Sequence, residues 1–437
     1  MPRGASIIAS LGTILAVLCP PRDARAQSLS DQIGRHAAAV DPRVVAWRRD
    51  IHQNPELSFQ EVRTAQMVAA HLRSLGIDVR TGVGGHGVVG VLRGGRPGAV
   101  VALRADMDAL PVTEETDLPF RSRVRTRVNG QDVGVMHACG HDTHVAMLMG
   151  AAEVLAAMRA RLPGTVKFIF QPAEEASGTG EGGAVAMIRD GALADPRPSA
   201  IFGLHAFAGY PAGHVAVRAG GLMASSDGLR ISVRGRQTHG AIPWGGVDPV
   251  VVASQIVLSL QTVVSRQVDL TTSPAVVTIG SIQGGVRGNI IPDSVVMIGT
   301  IRTFDQRMRQ QIHERVRRAA VSVAEGAGAT ASVSIDLGNG VTYNDPALVE
   351  RMRPTLARVA GPRLAEARQT TTAEDFSRFQ EQVPGMFVFL GITPEGQDMA
   401  QVAQNHSPRF FVDERALPVG VRVLVSLAVD YLTGTKP

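Results

Sequence analysis

The stretch HACGHDTH, residues 137–144, gathers three histidines, an aspartate and one of only two cysteines in a chain of 437 residues. Thiolate, imidazole and carboxylate are the donors that zinc and similar divalent ions take. A Cys-x-His pair sets two such donors, Cys139 and His141, on one tight turn, and Gly140 lets that turn bend without a side-chain clash. Further donors recur at a distance: Glu174 and Glu175 in FIFQPAEE, His205 in FGLHAF and His406 in QNHSPRFF. Two adjacent ions need about this many ligands, with one anion bridging them. Neighbouring side chains on an extended segment point opposite ways, so one glutamate can meet a metal while the other faces the substrate as a proton carrier. Other readings stay open for each residue. Cys139 also reads as a nucleophile with His141 or His144 as its base, His205 as a core histidine, His406 as a surface residue, and the glutamates as part of a solvated loop. His137 and His144 read as supports for the ligands.

These residues need a scaffold that brings distant segments together. Apolar, β-rich runs at 88–94, 99–110, 165–175 and 200–207 alternate with helical patterns at 62–75 and 143–158, the signature of a mainly parallel α/β sheet with helices on its faces. Function gathers at the carboxyl ends of such strands, and Asp106, Glu174, Glu175 and His205 each lie at the end of one. From about Ser226 the pattern changes to four strands and two helices in β-α-β-β-α-β order, which fits a ferredoxin-like unit inserted at 226–338. The larger unit then comprises 27–225 and 339–437, with helices expected after Asp345 and over 417–432.

Composition bounds the alternatives. With 44% hydrophobic and 19% charged residues, the chain is globular. Its +5 charge rests on scattered arginines, Lys167 and Lys436 being the only lysines, so no nucleic-acid surface is expected. Residues 1–26 read as a secretory signal: a basic start, an apolar run too short to span a bilayer, and Ala24-Arg25-Ala26 before the expected cleavage. An exported protein without a membrane anchor is expected. Removal of Cys19 with the leader would leave Cys139 as the only thiol, ruling out an intramolecular disulfide.

Taken together, WRRDIHQNPELSFQE (47–61), ALRADMDALPVTEET (102–116), GVMHACGHDTHVAMLMGAA (134–152), FIFQPAEE (168–175), GLHAF (203–207), VRGRQTHGAIPWGGVDP (233–249), GNIIPDSV (288–295), GTIRTFD (299–305), AEDFSRF (373–379) and NHSPRFF (405–411) span nearly the whole chain after the leader. Their order resembles the M20 family of metallopeptidases and amidohydrolases, in the subfamily of hippurate and indole-acetyl-amino-acid hydrolases. The resemblance implies a phosphorylase/hydrolase-like α/β catalytic domain with an inserted ferredoxin-like lid and dimerisation domain, and a homodimer.

It further implies a pair of divalent ions, zinc or manganese first and cobalt or nickel as alternatives, held by Cys139, His141, Glu175, His205 and His406. Glu174 becomes the general base and acid in hydrolysis of an N-acyl amino acid to a carboxylic acid and a free amino acid. His239 matches a histidine that stabilises the oxyanion, typically across a dimer interface, and Asn289 matches a substrate-contacting asparagine. The wider family carries a ligating histidine where this chain has Arg104, which stays protonated and cannot ligate; Asp106 keeps an orienting role. Trp244 stands where many subfamily members have histidine, which weakens any transfer of their substrate preference. Arg302 is a candidate for a substrate carboxylate or for a neighbouring acid. The alternatives are an exported carboxypeptidase or dipeptidase of the same family, a cysteine-nucleophile hydrolase, and a non-catalytic binding protein.

Overall fold

Four strands, Pro163–Gln171, Arg96–Asp106, Ala200–Pro211 and Gly385–Thr393, lie side by side in that order and run parallel. The computed structural model describes residues 22–176 and 182–434; the expected leader at 1–26 falls outside the described residues as far as residue 21. On one side the sheet continues with the antiparallel strands Gly87–Arg93 and Asp78–Val83, and on the other with Val215–Val217 and Leu364–Glu366, eight strands in all. Three of the central strands occupy the apolar runs marked in the sequence. The fourth, Gly385–Thr393, was not expected. It is buried along its whole length, and such an unalternating run carries no strand periodicity to recognise.

Helices cover both faces. Arg22–Gln53, Val62–Ser74, His141–Ala157, Pro346–Ala360 and Leu417–Thr433 share one apolar core with the sheet. On the opposite face Met187, Phe376 and Phe379, from the short helices Gly183–Arg189 and Phe376–Gln380, pack with Phe387 and Phe389. The helix His141–Ala157 is buried nearly all round, as its continuous apolar sequence requires. It starts two residues before the expected Thr143, which makes His141 its first residue. Gly140 caps it in the left-handed conformation (φ 91°), and a Cβ there would come within 3.0 Å of the Ala206 Cβ. Glycine therefore meets two demands at once.

Residues 227–337 form a second sheet, entirely antiparallel, in the order Ala275–Gln283, Ser294–Thr303, Asp227–Arg234, Thr330–Leu337. The helices Pro249–Gln267 and Gln306–Gly326 pack on it around a separate apolar core. Asp248 and Asp305 cap these helices by accepting backbone N–H groups of their first turns, the usual use of aspartate at that position. The chain crosses between the units twice, where Ser226 N donates to the Asn339 carbonyl (3.0 Å) and Asn339 N to Ser226 Oγ (3.1 Å). Among the described residues, two helices, Pro249–Gln267 and Glu414–Thr433, are long and apolar enough to cross a membrane; each buries apolar residues in one of these cores.

Candidate active site

Asp106 and Gln171 end their strands in register with each other; His205, expected at a strand end, lies instead midway along Ala200–Pro211, paired with Phe389. The loop after Gln171 supplies Glu174 and Glu175, the turn before the long buried helix supplies Cys139, the first residue of that helix is His141, and a late loop supplies His406. These residues meet around the Cys139 sulfur. His205 Nε2 lies 3.5 Å from Sγ and His406 Nε2 3.3 Å. Glu175 Oε1 is 3.2 Å from His406 Nε2 and 3.9 Å from His141 Nε2. His406 holds a left-handed backbone (φ 72°), and its N–H donates to the Ala138 carbonyl at 2.8 Å. A non-glycine residue in that region is strained, and such residues cluster at functional sites.

The donor set fits divalent cations. Potential ligand atoms of Cys139, His141 and His205 lie within 4.8 Å of one another, as do those of Cys139, Glu175 and His406, and those of His141, Glu174 and Glu175. The imidazoles are oriented from behind: His141 Nδ1 donates to the Asp108 carbonyl (2.8 Å) and His205 Nδ1 to the Ala206 carbonyl (2.9 Å). Both Nε2 atoms are thereby left as acceptors, the usual arrangement of ligating histidines. His141 Nε2 is buried without a hydrogen-bond partner, a costly state for a polar atom unless a ligand meets it. Burial and the Glu175 carboxylate push the Cys139 thiol up, and hydrogen bonds to Cys139 and Glu175 push His406 up to about 10. Cation binding is what would release both protons. A thiol raised in this way is the reverse of an activated nucleophile, which counts against cysteine hydrolysis.

His144 is excluded from ligation by its own bonds, because Nδ1 pairs with Asp106 and Nε2 accepts the Ala206 N–H at 2.7 Å. His137 is buried with neither ring nitrogen bonded, and burial pushes it down to about 4, so it stays uncharged near neutrality. Asp106 is likewise fully engaged, holding His144 on one oxygen and Arg104 on the other at 2.6 Å.

Beside the metal donors stands a cluster of acids. Arg104 bonds Asp106, Gln171 (2.8 Å) and Asp375 (2.9 Å) and lies 2.9 Å from Glu374. Glu174 accepts the Asp375 N–H at 3.3 Å. Its carboxyl is pushed well up by burial and by Glu374, Glu175 and Asp375, which suits a group that must take a proton near neutral pH. The sequence reading missed Glu374 and Asp375 as members of the site, although AEDF sets two acids directly before a helix. It also missed Asp108, which repeats Asp106 two residues on, the spacing that puts two side chains on the same side of an extended chain.

Cys139, Glu174, Glu175, His205 and His406 line a cavity of roughly 800 Å³, together with Thr300, Arg302, Asp336 and Leu337 of the smaller unit. Arg302 has no ion pair among the described residues. The nearby acid, Asp227, is occupied by Arg309 and by His313 at 2.7 Å. His239 and Asn289 do not line this cavity. The short pairing of Thr238–His239 with Ile290–Ile291, with Gly240 N donating to the Asn289 carbonyl at 2.8 Å, holds them together on an exposed edge of the smaller unit. His239 Nδ1 accepts the Ala241 N–H at 3.0 Å, so its proton is on Nε2, facing outward.

Residues 102–430 match the model of peptidase family M20/M25/M40. The chain is 39% identical to thermostable carboxypeptidase 2 of Saccharolobus solfataricus, over 92% of this chain and 99% of that one. It is 40% identical to IAA-amino acid hydrolase ILR1-like 2 of Arabidopsis thaliana, over 90% of this chain and 87% of that one. Among solved structures it resembles a dinuclear metal binding peptidase of the M20 family from Bacillus subtilis, with TM-score 0.77 and 36% identity, covering 91% of this chain and all of the other.

Proposed function

Because the chain belongs to peptidase family M20/M25/M40 and is a metal-dependent hydrolase of amides, we propose that its substrates are N-acyl amino acids, cleaved to a carboxylic acid and a free amino acid. The observation that carries this choice is Arg302, which makes no ion pair among the described residues and lines the same cavity as the metal donors. A half-buried guanidinium lining a cavity, with no ion pair among the described residues, matches a substrate carboxylate. The amino acid conjugate named for the plant relative and the chain end named for the archaeal carboxypeptidase both present such a carboxylate next to the scissile amide.

Cys139, His141, Glu175, His205 and His406 would hold two divalent ions, zinc or manganese first. When bound, the ions supply Lewis acidity toward the amide carbonyl and lower the pKa of the attacking water. Glu174 accepts the proton of that water and returns it to the leaving nitrogen, so one carboxyl serves as base and then as acid. Its raised affinity for protons keeps it suited to both steps. Arg302 orients the amino-acid end, and the wall formed by the smaller unit excludes water. His239 reaches the active site of a second subunit in a homodimer, donating from Nε2 to the developing oxyanion. Export to the periplasm or beyond follows from the leader-like segment at 1–26.

The test is a hydrolysis screen with metal-loaded protein over acetyl, benzoyl and indole-acetyl amino acids and matching dipeptides. Turnover of the acyl amino acids is expected, lost on methyl esterification of the free carboxylate. Turnover confined to peptides would transfer the assignment to the carboxypeptidase reading.

A further inference from the structure

Glu61 closes the motif WRRDIHQNPELSFQE, and its side chain is not used where its position would predict. It is the cap residue of the helix Val62–Ser74, yet it makes no capping hydrogen bond. Instead its fully buried carboxylate turns toward the active-site loop. One oxygen, Oε1, accepts the N–H of Phe59 at 2.9 Å and that of Ala173 at 2.8 Å.

Both donors are unusual. Phe59 (φ 63°) and Ala173 (φ 51°) are two of the four non-glycine residues with positive φ among those described. Glycine is the default residue in that conformation, and an alanine stays there only if its surroundings hold it. Ala173 is the residue immediately before Glu174, fully buried, with its carbonyl accepting Gly183 N at 3.0 Å. The next two amides, of Glu174 and Glu175, go to the two oxygens of Asp108 at 3.1 and 3.0 Å. Three consecutive N–H groups are thus fixed by two buried carboxyls, and the left-handed turn at Ala173 sets the direction in which the Glu174 side chain leaves the strand.

We propose that Glu61 is a positioning residue for Glu174, acting by pinning the left-handed backbone of Ala173. This rests on the reading of Glu174 as the proton carrier. Glu61 touches neither metal donors nor cavity; it acts through one amide. Burial and the Asp108 carboxylate push its carboxyl up to about 8, so glutamine reproduces its uncharged form while keeping the accepting oxygen.

The experiment compares Glu61→Gln, Glu61→Met and Glu174→Gln as metal-loaded proteins, measuring kcat, KM and bound metal. Glu61→Met fills the same space but cannot accept the two N–H groups. It is expected to lose about 100-fold in kcat, the scale of a misplaced catalytic group, with KM within about threefold and metal content unchanged. Glu61→Gln is expected to retain kcat within about threefold of the unmodified enzyme. If Glu61→Met does not accumulate as folded protein, Glu61→Ala carries the same expectation. Native kcat in either variant lacking the acceptor, or an equal loss in Glu61→Gln, overturns the proposal. Glu174→Gln separates the two ideas. Native turnover there would refute the proton-carrier reading itself, whereas an inactive Glu174→Gln beside a fully active Glu61→Met refutes only the role of Glu61.

Discussion

Asp108 holds His141 from behind, with its carbonyl 2.8 Å and its carboxylate 3.2 Å from the ring Nδ1. The same carboxylate accepts the N–H groups of Glu174 and Glu175 and the hydroxyl of Ser58 at 2.6 Å. One side chain therefore links a metal donor to the backbone of the paired glutamates. Asp108→Asn keeps the shape but turns an amide N–H₂ toward one of those backbone donors. Metal affinity is expected to fall by about 10 to 100-fold, the usual effect of losing a partner that orients a ligand. Titration against a competing chelator measures it, and affinity unchanged within about twofold would show that His141 does not need this support.

Arg104 stands where ligation is impossible and serves charge balance instead. It is fully buried against Asp106, Glu374 and Asp375. Arg104→Met leaves three acids beside Glu174 without a counter-charge. Breaking a buried ion pair from one side costs about 3–5 kcal/mol, so a clear drop in denaturation midpoint is expected in chemical unfolding. Asp375→Asn, made in the arginine-less protein, should restore part of it by removing one of the acids. An arginine-less protein as stable as the original would mean that these carboxyls are already neutral without it.

Much of this was legible beforehand, for definable reasons. Donor type marked Cys139, His141, the paired glutamates, His205 and His406 as one constellation, and the resemblance to the family divided them into ligands and proton carrier; Cys139, His141, Glu175, His205 and His406 are found within one cluster. Glu374, Asp375 and Asp108 carry no such mark. They act through backbone N–H groups and through Arg104, and only the fold shows which chain segments face them. Strands with apolar runs near the first motifs were visible, whereas Gly385–Thr393 lies far along the chain, bounded by no chemistry and buried on both faces. His239 and Asn289 were recognisable by motif, but the exposed edge that carries them is a property of the second unit's pairing.

The base of the smaller unit should respond to acid in a defined direction. Burial raises the Asp227 carboxyl, but hydrogen bonds from Arg309 and His313 outweigh it and hold it below its ordinary value of 3.8. A carboxyl whose folded pKa is depressed contributes stability in full above its unfolded value, and loses it as pH falls through the folded one. Asp227→Asn should therefore be destabilised relative to the unmodified protein at pH 7, with the gap narrowing below about pH 4. Urea unfolding of both proteins at pH 7 and pH 3 gives the comparison. A gap of equal size at the two pH values would assign the effect to packing rather than to charge.

His239 offers the sharpest test of how many subunits build one active site. It lies outside the cavity of its own chain, with an outward Nε2–H, so in the proposed dimer it serves the partner. His239→Ala should then lower kcat by about 10² to 10³-fold, as removal of an oxyanion donor does, with metal content unchanged. Glu174→Gln should be inactive for a different reason, on the other side of the interface. Mixing the two inactive proteins and allowing subunits to exchange would create hybrids in which one site combines an intact Glu174 with an intact His239. In a twofold dimer, random exchange makes half the molecules hybrids, each with one working site of two, so recovery should approach roughly a quarter of native activity. If His239 instead folds over its own subunit's cavity, every site in the mixture lacks one of the two residues and no activity returns. A mixture that stays inactive after exchange is verified by mass spectrometry would therefore place His239 in the same chain as the Glu174 it assists.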